Sequence, residues 1–237
     1  MLKETFYLDG VDALSVGIHL QKPINFSDPV PVCEVESIPG RNGDLVYETG
    51  AFENRTGIAS CYALLKESVE LSIRTANKFL LSKRGYRKLE TSDDPEHYWM
   101  ARVENGAGIE QRLRTLSTFE LSFDCKPQRF VKSGLQKIKM TKSGALYNQY
   151  GFNALPIIIV YGNGDGVLSV GDKTIKILSM KDVIYLDSET QNAYNESGNQ
   201  NKKIDAPVFP VLTDGENEIR WSGGVEMVEI VPRWWEL

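Results

Sequence analysis

The chain has 237 residues, 41% hydrophobic and 25% charged, with 27 basic against 32 acidic side chains. That composition suits a soluble globular protein with one large β domain or two ordinary ones, and it excludes a disordered chain. The net charge of −5 is shared by both halves rather than offset by a basic tail, which argues against a duplex-DNA binder.

In chain order, residues 5–20 alternate loosely around Asp9-Gly10 and predict two short strands. Pro23, Pro29 and Pro31 make the next segment extended, and Val32 to Ser37 alternates as a strand. Pro39-Gly40 then stops that strand. Asn42-Gly43 predicts a type I′ reversal in two residues, because both tolerate positive φ. Leu45 to Glu48 forms the return strand until Gly50, so Arg41 and Asp44 sit at the polar tip of a β-arm. Ile58 to Leu65 predicts another strand. Val69, Ile73, Ala76 and Leu80 recur at helical spacing, with Glu67 and Glu70 near the start, Lys83-Arg84 near the end and Gly85 as the stop. Such a stripe is a packing face, expected to cover one side of a sheet. Strands follow at Arg87 to Leu89, Tyr98 to Val103 and Phe119 to Cys125, with Asp93-Asp94-Pro95 as a turn and a loop holding Gly106 and Gly108. Pro127 is read as the end of this sheet and Gln128 to Ser133 as a connector.

The second half predicts strands at Leu135 to Met140, Tyr147-Asn148, Pro156 to Tyr161, Val167 to Val170, Ile175 to Ile177 and Val183 to Leu186. Gly162 to Gly166 and Gly171-Asp172-Lys173 read as turns. Gln191 to Lys203, rich in Asn, Gln and Ser, reads as a mobile surface loop. Two closing strands, Glu218 to Trp221 and Val225 to Val231, are joined by Ser222-Gly223-Gly224. Short strands with frequent turns and no helical stripe indicate an antiparallel sandwich.

Little here points to catalysis. The chain lacks Gly-x-Ser-x-Gly, a phosphate loop and His-Glu-x-x-His, and it contains only His19 and His97. Asp93-Asp94 before a proline reads as a turn former. Asp165 lacks the run of acidic ligands that calcium requires. Cys33, Cys61 and Cys125 are too widely spaced for a Cys-x-x-Cys site, their odd number argues against a complete disulfide framework, and Cys125 reads as a core residue. No catalytic, cofactor or metal residue is assigned. Leu155 to Tyr161 is the longest apolar run, far too short to span a bilayer, and the N-terminus has no apolar signal region. Synthesis in a reducing cytoplasm is therefore expected. Trp221 reads as core. Of the adjacent Trp234 and Trp235, one faces inward and the other is left for a partner or for stacking on a sugar.

Ile38-Pro39-Gly40-Arg41-Asn42-Gly43-Asp44-Leu45 with Tyr47 and Phe52 resembles a signature of the distal tail protein (Dit) family of siphophages. Gly85 to Leu89, Asp93 to Trp99 with Ala101, and Phe119 to Pro127 resemble further blocks in the same order. So do Pro156 to Gly162, Leu186 to Glu189, Asn217 to Gly224 and Ile230 to Trp234. The resemblance implies a mainly β protein in two domains. Residues 1–127 would be a ring-forming β-sandwich-like domain with one helix and a hairpin arm, and residues 128–237 a galectin-like β-sandwich. It also implies a non-enzymatic baseplate hub at the distal end of the virion tail: a homohexameric ring, stacked or single, that joins the tail tube protein to a tail-associated lysin or fibre. Receptor-binding or baseplate proteins would sit outside, and DNA would pass the channel without specific binding. Arg41, Asn42, Gly43 and Asp44 are then the subunit-contact candidates. The alternative is a carbohydrate-binding module for host glycans, with Trp234 and Trp235 as contacts. No membrane insertion is expected in either case.

Overall fold

The computed structural model describes residues 4–64, 69–105 and 116–237. The Gly106–Gly108 loop, Leu65 and Glu67 lie outside the described residues. The chain divides into two compact units, Met1–Arg129 with Leu237, and Phe130–Glu236. Both are mainly β, and the described residues contain a single α-helix.

The first unit comprises β1 (Phe6–Leu8), β2 (Val11–Asp12), β3 (Ile18–Leu20), β4 (Asn25–Phe26), β5 (Pro31–Glu36), β6 (Leu45–Phe52), β7 (Arg55–Leu64), α1 (Val69–Leu81), β8 (Arg87–Thr91), β9 (His97–Val103) and β10 (Leu116–Val131). Its main sheet runs β2-β1-β8-β9-β10-β7-β3, with β4 also on β7. Antiparallel register carries Leu64 opposite Leu116 through to Arg55 opposite Cys125. Period-two alternation then turns Phe119, Leu121, Phe123 and Cys125 to one face, beside Ala59, Cys61 and Ala63. Phe6 and Leu8 of β1 and Leu89 of β8 belong to the same core. The helix covers it with Ala76, Phe79 and Leu80, while Ile73 is only half-buried. Phe6 meets Phe123 edge-on at 5.7 Å and Phe79 at 6.3 Å. Full burial of one such ring stabilises by about 1.5–3 kcal/mol.

Arg87 locks the helix to the sheet. Its Nη1 donates to the carbonyls of Phe79 (2.8 Å) and Leu80 (3.3 Å), which α1 leaves without intrahelical partners at its C-terminus. Its Nε donates to Asp9 Oδ2 at 3.0 Å, in the β1–β2 turn. The helix accordingly ends at Leu81, before the Gly85 stop that the sequence suggests.

Pro127 does not end β10, which continues to Val131. The ladder with β7 stops at Cys125, so the missing N–H of Pro127 breaks no bond to that neighbour. The expected connector is instead the end of this strand and a 3₁₀ turn at Lys132–Leu135.

The second unit comprises β11 (Ile138–Met140), β12 (Gly144–Asn148), β13 (Ile157–Val170), β14 (Lys173–Met180), β15 (Val183–Asp187), β16 (Asn192–Asn195), β17 (Gly198–Asn199), β18 (Ile204–Asp205) and β19 (Gly215–Val231). Its sheet runs β11-β19-β13-β15-β16-β17, with β12 also on β19, β14 on β13 and β18 on β14.

Two expected turns are absent here. Gly162 to Gly166 lies inside the continuous strand β13, and Ser222-Gly223-Gly224 lies inside β19. The two glycine runs face each other, and the register slips at Tyr161/Gly162 and again before Gly166. Ile157–Tyr161 pairs with β15, whereas Gly166–Val170 pairs with β14, so the sheet creases at the glycines. Both halves then wall one core, with Ile158 and Val160 before the crease and Leu168 and Val170 after it. A Cβ on Gly162 would lie 1.9 Å from the Gly224 carbonyl oxygen, and one on Gly224 would lie 1.9 Å from that of Asn163. The glycines permit backbone contact rather than chain reversal.

Gln191 to Lys203 is likewise not an irregular loop. It forms β16, β17 and a 3₁₀ turn, with the Ala193 amide donating to Asn201 Oδ1 at 2.6 Å. Tyr194 stacks on Tyr185 at 5.2 Å, and Asn199 Nδ2 donates to Asn192 Oδ1 at 2.8 Å. Asparagine side chains here accept from nearby backbone amides, those of Ala193, Ser197 and Asn201, and so order the segment.

Candidate functional site

The arm stands as its own two-stranded sheet, β5 against β6, apart from the two larger sheets. Its reversal differs from the expected two-residue turn and occupies Ser37 to Asp44. The Arg41 amide donates to the Ile38 carbonyl at 3.1 Å, and Gly40 has φ 83°. Proline followed by positive-φ glycine is type II turn chemistry. Gly43 also has positive φ, but Asn42 does not, and that rules out type I′. Nor does Gly50 break β6. With φ 74° it sits where the ladder shifts between Pro31/Phe52 and Cys33/Glu48, and Thr49 Oγ1 donates to the Val32 carbonyl at 2.9 Å.

Arg41, Asn42, Gly43 and Asp44 are all exposed at the tip. The sides of the arm are the features that tip-centred reading misses. Val35 opposes Val46, and both are exposed, at 61% and 53%. Glu34 opposes Tyr47 and Glu36 opposes Leu45 on the other face. Tyr47 is 52% exposed. The sequence does carry this signal: Val32, Glu34, Val35, Glu36, Val46, Tyr47 and Glu48 leave neither face wholly apolar, so neither face belongs to a core. An isolated two-stranded ribbon is marginally stable in water, and this one leaves Val35, Val46 and Tyr47 exposed.

The two C-terminal tryptophans are placed differently from each other. Trp234 is buried in the second unit's core, near Tyr150, with its carbonyl accepting from the Val131 amide at 2.9 Å. Trp235 is half-buried. It stacks on Phe152 at 4.5 Å and donates from Nε1 to the Asn153 carbonyl at 2.9 Å. The preceding residue, Arg233, forms an ion pair with Asp187 of β15 at 2.7 Å. Trp221 packs partly against the same core. The most exposed large aromatic of this unit is instead Tyr147 on β12.

The remaining polar candidates serve structure. His97 Nδ1 lies 2.6 Å from Asp94 Oδ1 across the Asp94–His97 turn. Asp165 Oδ1 accepts from the Ser179 amide at 2.8 Å. Among the described residues no group of three or more His, Cys, Asp or Glu side chains converges as a metal site. No helix among them is long and apolar enough to cross a membrane. Cys61 and Cys125 are buried, and desolvation pushes both thiols up to about 12, whereas Cys33 is exposed on the arm.

No family model matches the chain, and neither does any curated protein. Among solved structures it is similar to the Dit protein of phage SPP1, described as a paradigm of the hub adsorption apparatus in phages infecting Gram-positive hosts. At 15% identity the match covers 96% of this chain and 98% of that one, with a TM-score of 0.73. The two chains share a fold along nearly their whole length.

Proposed function

We infer that this chain is a distal tail protein, a structural hub at the tip of a phage tail. The observation that carries the reading is the whole-chain likeness to a hub adsorption protein, which includes both units. The exposed β-arm supports it, because a ring of identical subunits is closed by heterologous contacts, and a projecting element offers one half of such a contact to a different surface on the next copy. In this reading the first unit closes a hexameric ring between the tail tube and a lysin or fibre, and receptor-binding or baseplate proteins attach outside. The protein acts mechanically, holding a channel open for DNA without gripping it. A net charge of −5 per subunit accords with weak phosphate affinity.

Light scattering combined with negative-stain imaging of the purified protein tests this. Annular particles of about six subunits are expected. A strict monomer at high protein concentration overturns the ring. Tight duplex binding at physiological salt overturns the inert channel while leaving the ring in place.

A further inference from the structure

We propose that the arm of one copy seats on the outward face of α1 of its neighbour, with Glu34 and Glu36 meeting Arg74 and Lys78. This rests on the ring reading above and names the surface that receives the arm.

The receiving face is a continuous stripe. Leu71, Arg74, Lys78 and Leu81 follow one another at helical spacing on the side of α1 opposite its core residues Ala76 and Leu80, and all four are exposed. Leu71 and Leu81 are 46% and 47% exposed, an unusual pair of large apolar side chains on a solvent-facing helix surface. Between them stand two cations of one sign. Arg74 and Lys78 take part in none of the ion pairs formed among the described residues. An apolar–basic–basic–apolar strip suits a partner that is both acidic and apolar, and a solvated helix face normally mixes its charges.

The arm has that chemistry. Glu34, Glu36, Asp44 and Glu48 outnumber Arg41, the one cation between Pro31 and Phe52. Glu34 and Glu36 share a face, and the cross-strand register sets Tyr47 and Leu45 directly beside them. The spacing also fits. Residues two apart on a strand are separated by about 6.7 Å, and residues four apart on a helix rise by about 6 Å. Two carboxylates can therefore meet two cations in step, while Tyr47 and Leu45 cover the neighbouring leucines. Such a contact is heterologous, arm to helix, and propagates around a closed ring.

The test is a charge exchange read by light scattering, with circular dichroism and thermal midpoint as folding controls. Arg74→Glu with Lys78→Glu should leave the fold intact and reduce the assembly to monomers. Adding Glu34→Lys with Glu36→Lys in the same chain should restore it. Cross-linking gives a second readout: Cys33→Ser, Glu34→Cys and Lys78→Cys together should yield a disulfide-linked ladder whose longest rung equals the ring number. If the wild type assembles and the reversed helix still assembles, the α1 seat is wrong and the ring reading stands. If the reversed helix is monomeric but the exchanged arm does not rescue it, the arm is not the occupant. A monomeric wild type overturns both.

Discussion

Gly162→Ala is the sharpest perturbation of the creased sheet. The new methyl group would meet the Gly224 carbonyl oxygen at 1.9 Å and its carbon at 3.0 Å, both backbone atoms of β19 that cannot rotate away. The residue also holds φ at 151°, a region that L side chains rarely adopt. Overpacking costs about 1–3 kcal/mol and backbone strain adds about 1–3 kcal/mol. The expected loss is therefore about 2–6 kcal/mol, a large part of a typical domain stability of about 5–15 kcal/mol. Urea unfolding followed by tryptophan fluorescence measures it well, since Trp221, Trp234 and Trp235 all lie in the second unit and only Trp99 in the first. Gly171→Ala in the β13–β14 turn is the control. It has positive φ but nothing within 4 Å of a new Cβ, so it should cost only about 1 kcal/mol. A Gly162→Ala variant no less stable than Gly171→Ala would refute the close backbone approach across the crease.

Arg87→Leu should cost the first unit about 2–3 kcal/mol in chemical unfolding, because it strands the Phe79 and Leu80 carbonyls at the end of α1 and removes one of the three donors to Asp9. Burial raises the Asp9 pKa, but hydrogen bonds from Lys83, Arg87 and the Lys88 amide outweigh it and hold the carboxyl below its ordinary 3.8. Its stabilising contribution is then fully present above the unfolded value and fades as pH falls through the lower native one. Asp9→Asn should flatten that acid limb of the thermal midpoint. Under native conditions a thiol reagent should label Cys33 alone, with Cys61 and Cys125 reacting only on unfolding; rapid native labelling of all three would contradict their burial. A polypeptide from Gln128 to Leu237 should fold with β-sheet circular dichroism, and an insoluble product would count against two independent folding units.

Where a local pattern is decided by nearest neighbours, the sequence was enough. The Phe119 to Cys125 alternation, the Val69 to Leu80 stripe and the two alternating runs on either side of Pro39 to Gly43 gave strand, helix and hairpin arm, because period is a property of the segment itself. Pro39-Gly40 holds the turn chemistry the arm uses, whereas Asn42-Gly43 is compatible with a type I′ reversal that Asn42 does not adopt. Contacts with distant parts of the chain decided the rest. Glycine runs at Gly162 and Gly223 look like turns until each is seen to make room for the other. Pro127 looks like a strand end until the partner strand is seen to stop first. The Asn-rich segment Gln191 to Lys203 looks unstructured until its amides are seen bonding to its own backbone. In each case the local chemistry allows either outcome, and the choice depends on which backbone lies opposite, a relation that only the folded chain supplies.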